Sequence, residues 1–77
     1  KTSNFPTLYY NLISAADRAN LEEFRHKSKL GGSIEKANEF YSKAYNMAVF
    51  ISNEYPNRNS ESVKKIMLIS SSKLNLK

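Results

Sequence analysis

The chain contains no cysteine and no tryptophan, and its one histidine is His26. Without cysteine there is neither a disulfide staple nor a thiolate to act as metal ligand or nucleophile, and a lone imidazole cannot form a ligand pair or a proton relay. Two glycines and two prolines are too few for the turns of a small β-barrel. Long apolar runs are missing too: the longest nearly apolar stretches, Met47 to Ile51 and Ile66 to Ile69, fall far short of the ~20 residues of a membrane span. No hydrophobic signal segment opens the chain at Lys1. These absences predict a non-enzymatic, cofactor-free and metal-free domain with no transmembrane segment, and lack of cysteine is compatible with a reducing, cytoplasmic location.

What is present is a helical rhythm. From Ile34 the apolar positions are Ile34, Ala37, Tyr41, Ala44, Ala48, Ile51 and Tyr55, with gaps alternating between three and four. Strand alternation would give gaps of two, so the spacing predicts one face of one long helix. Its alanines have only methyl side chains, which let neighbouring helices approach closely. A chain of 77 residues forms one small core that buries about 60% of the unfolded chain's surface, so a single domain over residues 1–77 is expected.

Boundary signals divide it into three helices at about 6–29, 33–55 and 60–74. Asn4 and Pro6 suit a helix start. Leu8, Leu12, Ala15 or Ala16, and Ala19 keep helical spacing, and Leu21, Phe24 and Ser28 continue it on a drifting face. One continuous helix is favoured, with a break near Asp17 to Asn20 as the alternative. Arg25, His26, Lys27 and Lys29 before Gly31 and Gly32 mark a helix end, the cations facing the negative end of the dipole and glycine taking the left-handed cap. Ser33 caps the second helix, whose Glu39 and Lys43 are spaced to pair, while Lys36 stands where a capping box would place glutamate. Pro56 ends that helix near Tyr55. Ser60 or Asn59 caps the third, whose stripe is Val63, Ile66, Met67, Ser70 and Leu74, widened by Leu68 and Ile69. Fraying or a bend is expected at Ser70 to Ser72, with Leu74 and Leu76 docked or disordered. Short links imply an all-α, antiparallel three-helix bundle, up, down and up.

Polar chemistry is sparse. Asp17, Glu22, Glu23 and His26 read as a solvated face rather than a site, and Gly31-Gly32 as a cap rather than a phosphate loop. Charge is more informative: the net +5 is concentrated at the flanks, with five basic and one acidic residue in 56–77. Arg25, Lys27, Lys29, Arg58, Lys64, Lys65 and Lys73 could contact phosphates, which makes a small basic nucleic-acid-binding domain the alternative function. Among the nine aromatics, Tyr9, Tyr10, Phe40, Tyr45 and Phe50 lie off the main stripes and, beside Met47, would suit a partner helix or a second copy of the chain.

The spacing Ala37, Tyr41, Ala44 resembles the second helix of a tetratricopeptide repeat. Placed on a long second helix followed by a third, it looks more like a microtubule-interacting and trafficking (MIT) domain, the resemblance covering mainly Ser33 to Tyr55. That resemblance implies a three-helix adaptor of about this length, which binds short helical or extended motifs of other proteins in grooves beside helix three and serves membrane trafficking or autophagy. The residues expected to contact such a partner are Met47, Phe50, Met67 and Leu74 through apolar contact, and Lys64 and Lys73 through carboxylates, in a groove lined by helices two and three.

Overall fold

A computed structural model describes residues 5–58 and 60–75. Three α-helices, α1 (Phe5–Lys27), α2 (Ile34–Glu54) and α3 (Glu61–Lys73), carry the fold, with one 3-10 turn at Pro56–Arg58. They form an all-α three-helix bundle, and the described residues include no strand. α1 is unbroken through Asp17 to Asn20.

Contacts between the stripes set the antiparallel order. Ala19 of α1 packs with Ala37 and Tyr41 at the start of α2, whereas Leu12 and Ala15 pack with Ala44, Ala48 and Ile51 further along it. Phe5 reaches Tyr55, its ring centroid 5.3 Å away and edge-on. Val63 joins the Leu12 and Ile51 cluster, and Leu74 returns to the Ala37 and Tyr41 cluster. Thus α2 runs between two neighbours, and Ala37, Ala44 and Ala48, all fully buried, let them come close.

The turn between α1 and α2 departs from the expected glycine cap. Leu30 N–H donates to Arg25 O at 2.7 Å and Lys29 N–H to His26 O at 3.1 Å, the bond pair of a Schellman motif. Its left-handed residue is Lys29, with φ 59°, and Gly31 follows with φ 93°. Gly32 serves another need: a Cβ there would overlap the carbonyl oxygen of Glu22 and lie 2.5 Å from His26 N. Close passage of the loop over α1 is what excludes a side chain. Ser33 then accepts from Lys36 N–H at 3.2 Å, and its own N–H donates to Glu22 Oε1 at 2.9 Å. A glutamate from α1 thereby does the work of the capping-box residue that Lys36 cannot do. Ser60 caps α3 by accepting from Val63 N–H at 3.3 Å; Asn4, Asn59 and Leu76 lie outside the described residues.

Other expectations fail where burial overrides pattern. Leu21 and Phe24 are exposed, because α1 continues its buried face through Ala19 while Glu23 takes the next inward position. Leu68 does not widen the α3 face but is 72% exposed. The serine run neither frays nor bends: α3 continues to Lys73, and Ser70 is buried against its neighbours, where a small side chain fits. Glu39 and Lys43 form no ion pair; the Lys43 ammonium instead lies 5.7 Å from the centre of the Phe40 ring.

Candidate functional site

Flanking the buried stripe of α2 is a second line, Phe40, Lys43, Met47 and Phe50, again with gaps of three and four. Helical geometry puts these residues on one flank, and that flank faces α1. There Tyr10, Asn11, Ser14, Ala15 and Arg18 of α1 meet Phe40, Lys43 and Met47 of α2 around a groove of about 320 Å³. Tyr10 is 70% exposed at its rim, and Phe50, 45% exposed, extends the α2 wall two turns beyond Lys43.

Two cations share one ring in this groove. Arg18 Cζ lies 6.0 Å and Lys43 Nζ 5.7 Å from the Phe40 centroid, which is within the range of cation–π attraction. Neither forms an ion pair with a carboxylate of the described residues. Arg18 would ordinarily pair with Glu22 four residues on, but Glu22 is engaged by the Ser33 N–H across the loop. Lys43 likewise has no carboxylate within ion-pair distance at Glu39. The fold thus leaves two positive charges beside an apolar wall of Met47 and Phe40.

A different set of polar groups binds the helices to one another. Glu23 of α1 accepts from Tyr41 Oη of α2 at 2.6 Å through Oε1, and from Lys73 Nζ of α3 at 2.8 Å through Oε2, with Lys27 Nζ 3.3 Å away. Asn20 Oδ1 stands 2.9 Å from the same tyrosine oxygen. Lys73, then Tyr41, hold the Glu23 carboxyl down from its ordinary 4.5 to about 2, outweighing the opposing effect of burial. Burial, together with the accepting carboxylate, pushes the Tyr41 hydroxyl above its ordinary value of 10. Tyr41 also floors a small cleft of about 40 Å³ between Ala16 and Asn20 of α1 and Ile66, Ile69 and Ser70 of α3.

Of the six residues expected to share a groove between the second and third helices, Met47 and Met67 pack against one core cluster and Leu74 against the other. Met47 lines the α1–α2 groove, and Phe50 borders it. Lys64 lines a separate, open concavity with Glu61, Ser62, Lys65 and Leu68 along the outside of α3. Met67 and Leu74 are half-buried against the two core clusters, and Lys73 is engaged by Glu23. Met47 lies on a flank of α2 that borders Tyr10, Ser14 and Arg18 of α1. Arg18 and Lys43 were missed as site residues, although the regular spacing of Phe40, Met47 and Phe50 was the available signal.

No helix among the described residues is long and apolar enough to cross a membrane. No family model matches this chain, and no curated protein or solved structure matches it.

Proposed function

We propose that the bundle is a non-enzymatic protein-interaction module that takes a short, acidic and apolar segment of a partner protein in the α1–α2 groove. The observation that carries this reading is the pair Arg18 and Lys43, both over Phe40 and both without a carboxylate partner among the described residues, beside Met47. A partner's Asp or Glu supplies the missing counter-charge, and an adjacent leucine or phenylalanine lies against Met47 and Phe50. Charge then sets orientation and encounter rate, and the apolar contact supplies most of the affinity. The likeness of residues 33–55 to an MIT domain agrees with a motif-binding role, although the groove proposed here lies between α1 and α2 rather than beside helix three.

The test is selection of displayed twelve-residue peptides on the intact chain, followed by titration of the selected peptides. Selected sequences should be rich in acidic residues beside large apolar ones. Arg18→Glu with Lys43→Glu should weaken them at least tenfold, equivalent to about 1.4 kcal/mol, without loss of helical circular dichroism. Peptides that bind this variant as tightly as the parent would remove the groove from consideration.

A further inference from the structure

The end of the bundle where α1 turns into α2 is built differently from the groove. Phe24 and Leu30 are 60% and 65% exposed there, and Leu21 is exposed one turn before Phe24. Arg25, His26, Lys29 and Lys36 are exposed at the same end. Of the acids nearby, Glu22 accepts from Ser33 N–H and Glu23 is held by Tyr41, Lys27 and Lys73, which leaves Glu35, exposed in the first turn of α2, as an outward acid among these cations. What this end presents outward is mainly cationic and apolar.

Much of the loop backbone is also paired from within. The N–H groups of Ser28, Lys29 and Leu30 donate to the carbonyls of Phe24, His26 and Arg25, and that of Ser33 to Glu22. An apolar side chain enters a low-dielectric layer at lower cost when donors of the backbone beside it are paired. At Leu30 the residue's own N–H and those of Ser28 and Lys29 before it are paired. Leu30 stands between Lys29 and Gly31, both with positive φ, on a tight turn braced by Gly32 against α1.

We infer that this end of the bundle docks on the surface of a bilayer containing anionic lipids, with Leu30 and Phe24 entering the interface and Arg25, Lys29 and Lys36 facing the headgroups. Each basic residue near such a surface adds attraction that salt screens, and each buried apolar side chain adds attraction that it does not. The sequence on its own argued against this, since no single helix combines a strongly basic face with a bulky apolar one. The patch is assembled from the end of α1, the loop and the first turn of α2. It does not depend on the peptide groove.

The test uses flotation with vesicles of phosphatidylcholine alone or mixed with phosphatidylserine. The intact chain should float with the mixed vesicles and remain unbound with phosphatidylcholine. Phe24→Asp with Leu30→Asp should lower the bound fraction at least tenfold. Arg25→Glu with Lys29→Asn should do the same, asparagine being chosen because it tolerates a positive φ. Because the chain has no tryptophan, Leu30→Trp provides a single tryptophan, excited apart from the tyrosines, whose emission should shift to the blue on mixed vesicles. Arg18→Glu with Lys43→Glu should float nearly as well as the parent while losing peptide binding, which separates the two sites. Failure of the parent to float, an unshifted Leu30→Trp emission, or full binding by the Phe24 and Leu30 variant would each overturn the inference. So would tight binding of single-stranded RNA that the same apolar variant retains, since that would assign the cations to nucleic acid.

Discussion

Phe5 and Phe24 stand at opposite ends of α1, and only the first has ring partners. Phe5 lies 5.9 Å from Tyr9 and 5.3 Å from Tyr55, centroid to centroid, and Arg58 covers its face at 4.9 Å. Phe24 is exposed. The ends differ because α2 finishes with Tyr55 and a 3-10 turn that folds Arg58 back over the rings, whereas α1 finishes with a loop held by backbone bonds and a glutamate. One end is closed by side-chain packing, and the other is closed by hydrogen bonds and leaves its apolar side chains outside.

If that contrast is right, the loop end should be intolerant of change in its backbone and tolerant of change in its exposed side chains. The largest effect is expected for Gly32→Ala, which forces the loop away from Glu22 and His26 and should lower unfolding stability by about 2–3 kcal/mol in urea titrations followed by circular dichroism. Next, Phe5→Ala should remove about 2 kcal/mol of packing and stacking, against less than about 0.5 kcal/mol for Phe24→Ala. Equal effects at the two phenylalanines would erase the distinction between the ends.

Glu23 lies between the ends and ties all three helices. Its folded pKa is lowered, so its contribution is complete above the unfolded value of 4.5 and is lost as pH falls toward about 2. Because Lys27 and Lys73 are partly in water, the loss should be on the order of 1–2 kcal/mol rather than the full linkage value. Glu23→Gln should flatten the acid limb of stability between those pH values. Tyr41, shifted the other way, contributes below pH 10 and loses that contribution as pH rises beyond it. The smallest effect is expected at Lys29, where glycine would relieve a positive φ and raise stability by a few tenths of a kcal/mol, about what a left-handed cap allows after the entropy of glycine is counted.

Much of the bundle was legible because periodicity reports burial directly. Of the stripe read from spacing alone, Ala37, Tyr41, Ala44, Ala48 and Ile51 are buried and Tyr55 is partly buried, whereas Ile34, in the first turn of α2, is exposed. The pattern misled where one helix had to choose between equivalent faces: Leu21, Phe24 and Leu68 fit a helical stripe as well as buried residues do, yet they are exposed. The groove was half legible, through Phe40, Met47 and Phe50. Arg18 was not, since its availability depends on Glu22 being drawn to Ser33.

The sequence by itself determined that there are three helices, where the proline and glycine signals separate them, and which alanine-rich face of the middle one is covered. These follow from local dihedral preference and from a spacing that repeats with the helical turn. Tertiary structure alone decided which flank of α2 meets α1, that Glu22 and Glu23 work inside the fold, and that Arg18, Lys43, Arg25 and Lys29 are left facing outward. Those outcomes depend on pairs 11 to 50 residues apart, such as Ser33 with Glu22 and Lys73 with Glu23, and the local pattern carries no information about partners so distant.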